Sequence, residues 1–354
     1  QPMFRKNLPR HDRIRIGYVT GEMYDHPVGN VIGGVFRNHD HDQFEIYGFS
    51  YGPKTDDPVR RRLMQLFDRF IDVEVMDAAS VSKAIRDSEI DIAVTLSGYT
   101  RGSRPAMLAY RPAPIQVNYC GYPGTMAAPY IDYMIADRTV VPEDSRGGYD
   151  ENVVYLPDTY LPNDCHRPIA GTIPTRRDAG LPEEGFIFCS FNNTFKVTEP
   201  VFASWMRILQ AVPGSVLWLL ADNDWARDNM LRQAQTLGVA SDRLIFAPRV
   251  APADYLARFA LADLMLDTFP YNAGTTASDC LWMGTPILTR SGKTYISRMA
   301  GSLLTAVGLP DLICDTPEEY EARAIQLGRN PLRIESYKRY LREQGRQSRL
   351  FDVP

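Results

Sequence analysis

From Arg13 onward the chain alternates short, continuously apolar runs with amphipathic helical stretches, a pattern that permits little besides parallel sheets flanked by helices. In the first half the runs are IRIGYV, FEIYGFS (44–50), FIDVEV (70–75), IDIAVTL (90–96), IQVNY (115–119) and YMIAD (133–137). Helices are expected between them over Pro58–Phe67 and Ala79–Ser88. A Pro-rich, irregular stretch from Leu156 to Pro182 breaks the rhythm and marks a domain boundary. The alternation then resumes with FIFCSF (186–191), SVLWLL (215–220), RLIFAP (243–248), LMLDTF (264–269) and PILT (286–289). Helices are expected there over 199–212, 224–237, 253–262, 276–284 and 297–307. Runs that are apolar at every position belong to parallel strands buried on both faces.

A chain of 354 residues exceeds one ordinary core, so two α/β domains with a cleft between them are expected. The reading is a linker over 1–11, a first domain over 12–165, an interdomain linker over 166–183, a second domain over 184–330 and a charged helix over 331–354. A net charge of −4 leaves no surplus of cations for a nucleic-acid backbone, so no nucleic-acid partner is expected. No apolar run approaches the roughly 18 residues that cross a bilayer, and no secretion leader opens the chain. A cytoplasmic protein that does not enter membranes follows as the expectation. The five cysteines are odd in number and widely spaced, which reads as reduced thiols rather than a disulfide framework. The His39-Asp40-His41-Asp42 run lies in a polar turn with no further His or Cys nearby, so no metal site is expected there.

In open parallel sheets ligands bind beyond the carboxyl ends of strands, which makes four loops informative. The first runs from Asp267 to Gly274 and enters a helix at Thr275-Thr276, where free amides and the helix dipole favour an anion. The same pair also reads as an ordinary N-cap, and Asp279 one turn later is either a ribose contact or a solvated helix residue. The second, Phe191 to Lys196, puts a lysine where it offsets the charge of a departing diphosphate; a plain surface lysine is the alternative. The third carries His26, which titrates near neutral pH and serves either catalysis or capping. The fourth, Cys120-Gly121-Tyr122-Pro123-Gly124-Thr125, combines Gly and Pro into a path that lets a ligand approach main-chain atoms, or into a structural turn alone. Asp222-Asn223-Asp224 imitates a metal-holding Asp-x-Asp signature but precedes a helix, and reads as a cap.

Taken in order, GYVTGEMYDHP, GYTRGSR (98–104), RPAPIQ with GYPGT, FNNTFKVTEP, AVPGSVLWLL and DTFPYNAGTTASDCLWMGTPILT resemble the catalytic region of the protein O-GlcNAc transferase and SPINDLY family. The likeness extends over about residues 13 to 350. It implies a GT-B fold of two Rossmann-like domains and inverting, metal-independent transfer of a sugar from a nucleotide donor to Ser or Thr of an acceptor protein. UDP-GlcNAc is the first donor implied, with GDP-fucose as the alternative, and no cofactor is implied. By motif, Lys196 resembles the family's lysine on the donor diphosphate, Thr275 and Thr276 its diphosphate contacts, and Asp279 its ribose contact. His26 matches the active-site histidine, Gly121 a main-chain contact to the sugar and Ala251 a backbone contact to the base, and Pro123, Asn193 and Gly274 are also expected among the nucleotide-sugar-binding residues. Three departures stand out: Gly274 where His is common before the Thr pair, Ala253 and Leu256 where Lys and His flank the base, and Asn193 where some members carry Gln. These departures keep open a non-catalytic nucleotide-sugar sensor, and the two-lobed fold keeps open an epimerase. Family members usually carry tetratricopeptide repeats ahead of this region, so the chain is expected to be a piece of a longer protein.

Overall fold

The computed structural model describes residues 2–4, 11–220 and 223–352, and it divides into two compact units, one ending at His166 and one spanning Arg167–Asp352. Most of the expected linker over 1–11, Asp222 of the Asp-x-Asp imitation and the last two residues of the expected helix over 331–354 lie outside the described residues.

In the first unit, β1 (Ile14–Thr20), β2 (Phe44–Ser50), β3 (Arg69–Asp72), β4 (Ile92–Thr95), β5 (Ile115–Asn118), β6 (Tyr133–Ala136) and β7 (Asn152–Tyr155) form one parallel sheet in the order β3-β2-β1-β4-β5-β6-β7. The helices are α1 (Pro27–Arg37), α2 (Pro58–Met64), α3 (Ala78–Asp87) and the short α4 (Ala106–Ala109). Helix α1 stands where the sequence suggested only a loop around His26. Pro27 opens it with a preset φ, and His26 caps it. Its glycines are steric necessities: a Cβ on Gly29 would lie 2.3 Å from the Tyr24 carbonyl oxygen, and one on Gly33 2.5 Å from the Asp164 carboxylate. That close approach outweighs the low helix propensity of glycine. Strand β7 was also unforeseen, because its residues alternate between exposed and half-buried instead of forming an apolar run.

In the second unit, β8 (Ile187–Ser190), β9 (Val216–Leu220), β10 (Leu244–Ala247), β11 (Leu264–Leu266), β12 (Ile287–Arg290) and β13 (Ile313–Cys314) form a second parallel sheet, ordered β10-β9-β8-β11-β12-β13. Around it run α5 (Glu199–Ala211), α6 (Asp224–Thr236), α7 (Pro252–Arg258), α8 (Thr275–Trp282), α9 (Met299–Val307), α10 (Pro317–Gly328) and α11 (Pro331–Glu343). The final helix ends at Glu343, short of the expected 354, and a single 3-10 turn follows it. Every residue of β8 and β9 is buried, as expected of strands covered on both faces. Asn223 caps α6 through its side chain, accepting from the Ala226 amide.

Both sheets reverse direction beside their first strand, between β1 and β4 and between β8 and β11, and such switch points open a crevice at the strands' carboxyl ends. The candidate loops all leave from those ends. No helix among the described residues is long and apolar enough to cross a membrane.

The segment that leaves β7 is tied back onto the first unit by Asp164, whose fully buried carboxylate pairs with Arg37 of α1 at 3.1 Å and Arg62 of α2 at 3.2 Å. Removing one partner of a buried ion pair strands the other charge and costs about 3 kcal/mol. Asp164→Ala is therefore expected to destabilise the first unit by about that amount in urea unfolding; a transition unchanged from wild type would contradict the anchoring role.

Candidate active site

In the second unit the chain leaves β8 through Phe191 and Asn192 into a 3-10 turn, Thr194–Lys196, while β11 ends directly in the loop Asp267–Gly274. These loops meet at the switch point. The Lys196 ammonium donates to the Asn272 carbonyl at 3.1 Å and lies 3.9 Å from the centre of the Tyr271 ring. The lysine is thereby drawn from the surface into the loop that starts α8. Burial pushes its pKa down to about 8, against the opposing pull of the Asp267 carboxylate.

Asp267 is the brace of this loop. Its carboxylate accepts from the Thr289 hydroxyl at 2.6 Å and from the Thr268 and Ala273 amides, both at 2.8 Å. Its carbonyl accepts from the Tyr320 hydroxyl at 3.0 Å, and that hydroxyl in turn receives the Trp205 indole N–H. Full burial raises the carboxyl to about 6 despite these donors and Lys196. Asn272 spans the turn, donating to the Thr268 carbonyl at 2.8 Å and the Arg290 carbonyl at 3.3 Å. The Phe269–Pro270 peptide bond within the loop is cis.

Helix α8 begins with Gly274 as its N-cap, and no side chain caps its first turn. Thr275 and Thr276 are its first two residues, half-buried, so their amides point outward with the positive end of the helix dipole. The Thr276 side chain hydrogen-bonds the Tyr255 hydroxyl. Asp279, one turn on, is buried and receives a 2.6 Å hydrogen bond from Arg167. Burial raises its pKa and the guanidinium opposes the shift. Asp279 is thus not the solvated helix residue that was one of its two readings. Asn193 accepts from Arg249 at 3.1 Å, and Ala251 is the exposed N-cap of α7, offering backbone groups alone.

His26, Gly121 and Pro123 belong to the first unit. The His26 Nδ1 accepts the Val28 amide at 3.3 Å, and burial lowers the pKa of the ring although Glu22 and Asp25 oppose the shift. Gly121 cannot be anything larger, since a Cβ would lie 2.0 Å from the Leu96 carbonyl oxygen. The preceding Cys120 has φ +72°, so the turn after β5 does follow an unusual path, and Pro123 lies within it. Beside it, buried Glu22 accepts from Thr100 at 3.1 Å and also from Thr20 and Ser97.

The bracing roles of Asp267, Arg167 and Glu22 have no signature in the sequence. Asp267 sits in an apolar strand run, Arg167 in an irregular stretch and Glu22 in a turn. The His39-to-Asp42 run is spent on structure, with His39 bonded to the Tyr18 hydroxyl at 2.8 Å and His41 to Asp68 at 3.2 Å.

Two Rossmann-like α/β units of this kind have the GT-B fold. The solved structure of a mutant O-GlcNAc transferase from Thermobaculum terrenum matches 100% of this chain and 68% of that one, with a TM-score of 0.89 at 32% identity. The family model for glycosyl transferase family 41 matches residues 2–170 and 165–354, and the chain belongs to that family. Among curated relatives, the probable UDP-N-acetylglucosamine–peptide N-acetylglucosaminyltransferase SEC of Arabidopsis thaliana is 36% identical over 96% of this chain. The similarly named SPINDLY protein of Solanum lycopersicum is 33% identical over 95%. The chain spans 36% and 37% of the lengths of those two relatives.

Removal of the Asp267 charge would take away the one carboxylate that raises the Lys196 pKa. In Asp267→Asn the lysine, followed by NMR with labelled side-chain carbons, is expected to titrate below its wild-type value of about 8. A midpoint that stays put or rises would contradict the coupling.

Proposed function

We propose that this chain is the catalytic region of an inverting, metal-independent protein O-glycosyltransferase that moves GlcNAc from UDP-GlcNAc to Ser or Thr hydroxyls of an acceptor protein. The carrying observation is the Lys196 ammonium bonded within the very loop that delivers the uncapped start of α8. The names of both plant relatives favour UDP-N-acetylglucosamine as donor and a peptide as acceptor. Among the described residues no disulfide forms, which suits the reducing cytoplasm.

In this reading the acceptor oxygen attacks the anomeric carbon as the bond from that carbon to the diphosphate breaks. A single displacement inverts the configuration. Negative charge grows on the leaving diphosphate, and Lys196 with the Thr275 and Thr276 amides meets it. Those groups do the work that a divalent cation does in other transferases, so the reaction proceeds without one. Asp279, held by Arg167 on one oxygen, keeps its other oxygen for the ribose hydroxyls. Ala251 offers its backbone to the base, Asn193 reaches the donor from the Lys196 turn, and Gly121 and Pro123 bring main chain against the sugar.

His26 holds a different role from that of a base. Because its Nδ1 accepts an amide N–H, the neutral ring carries its proton on Nε2 and presents a donor. A lowered pKa keeps the ring neutral at physiological pH. It therefore orients an oxygen of the donor or acceptor and does not take the acceptor's proton.

Lys196→Ala is expected to reduce kcat by about 10² to 10³, measured as UDP release with acceptor peptide present. The ammonium is the active form, so kcat/KM should fall as pH rises through about 8, and Lys196→Arg should move that limb upward. Near-normal turnover by Lys196→Ala, or a limb unmoved in Lys196→Arg, would refute the assignment. For His26→Gln, which keeps a donor, a partial loss with an unaltered pH profile is expected; a profile that loses a limb would restore the base role.

A further inference from the structure

Behind the Asp267–Gly274 loop lies a cavity of about 350 Å³ between the amino-terminal turns of α5 and α10 and the ends of β11 and β12. Pro200, Val201, Phe269, Pro270, Pro317 and Tyr320 make its walls mostly apolar, with Thr198, Ser204 and Asp267 adding little polar surface. None of Lys196, Thr275, Thr276 or Asp279 lines it. Its size falls within the range of small-molecule pockets, about 300–1,000 Å³.

One cation faces this mainly apolar space. The Arg290 guanidinium, at the carboxyl end of β12, stacks on the Phe269 ring at 3.9 Å. Among the described residues no carboxylate or carbonyl accepts from it, and its Nε is enclosed without a partner. Three arginines more or equally buried are paired by contrast: Arg60 with Asp72, Arg111 with Asp132 and Arg258 with the Pro248 carbonyl. The nearest carboxylate in the lining, that of Asp267, is engaged by Thr289, Thr268 and Ala273. The guanidinium is half-buried and its enclosed Nε has no acceptor, an arrangement that favours an incoming anion. Stacking on Phe269 covers one face of the guanidinium and leaves its fork free for a bidentate acceptor.

We propose that this cavity is a second ligand site, for a small molecule with a compact apolar body and one carboxylate or phosphate group that Arg290 binds. The body fills the space between Val201, Pro270 and Pro317, where removal of apolar surface from water drives binding. The anion selects the ligand, because a neutral molecule of the same shape leaves the guanidinium unpaired. The site stands on this cavity and not on the transferase reading, and it is filled alongside the nucleotide.

The test uses the whole chain saturated with UDP, titrated calorimetrically with 3-phenylpropanoate, with phenyl phosphate, with the neutral 3-phenylpropanamide and with inorganic phosphate. Saturable one-to-one binding of the first or second probe is expected, with the amide and inorganic phosphate at least about tenfold weaker. Arg290→Met should erase the preference for acid over amide, and Val201→Trp, which fills the cavity and keeps Arg290, should abolish binding of both. Unchanged thermal unfolding and UDP binding in each variant shows that its fold and nucleotide site are intact. The inference is overturned if acid and amide bind alike, if Arg290→Met keeps the preference, if Val201→Trp binds as wild type, or if excess UDP displaces the probe. Absence of saturable binding by both anionic probes overturns it as well.

Discussion

A carboxylate buried among hydrogen-bond donors governs the second unit. Asp267 follows strand β11 directly, and its two oxygens gather Thr289, Thr268 and Ala273 around one point. A group so enclosed survives only when its acceptor capacity is filled, so those donors lock the following loop into one path. The locked loop places the Asn272 carbonyl to receive Lys196, stands Tyr271 beneath the ammonium and launches α8 from a glycine that cannot cap it. A mobile surface lysine and a frayed helix start would form no anion site. Fixed by Asp267, they are ordered before any ligand arrives, which is what the proposed anion site requires, since preorganised charge stabilises a developing anion effectively.

The two halves of the chain solve the same problem in different ways. In the first unit the strand-end loops are narrowed by backbone contact: Gly121 lies against the Leu96 carbonyl, and Gly29 lets α1 pack on the turn after β1. Glu22 is the counterpart of Asp267, a buried carboxylate fed by the hydroxyls of Thr20, Ser97 and Thr100. Each switch point thus carries an acidic group facing inward that orders its loops. The outward groups differ in kind, a cation and free amides on one unit and a neutral imidazole with exposed main chain on the other.

Most of the fold could be read from the sequence because parallel strands buried on both faces leave uninterrupted apolar runs, as in VLWLL of β9. Strands lacking that property, the half-exposed β7 and the two-residue β13, left no such trace. Helix α1 was hidden by its glycines, of which Gly29 and Gly33 serve tertiary contacts that no local propensity encodes. The placement of Lys196 and the Thr pair in strand-end loops was legible in the sequence. The bracing behind them was not, since an Asp inside LMLDTF or an Arg in a Pro-rich stretch becomes meaningful only when the folded chain brings in its partner. Arg167 and Asp279 are far apart in sequence and 2.6 Å apart in space.

A crystal structure of the chain with UDP tests the central claim most directly. The account predicts that the terminal phosphate sits at the start of α8, within about 3 Å of the Thr275 or Thr276 amide, with Lys196 Nζ turned onto a phosphate oxygen. A diphosphate bound away from that turn, with Lys196 still on the Asn272 carbonyl and pointing elsewhere, would contradict it.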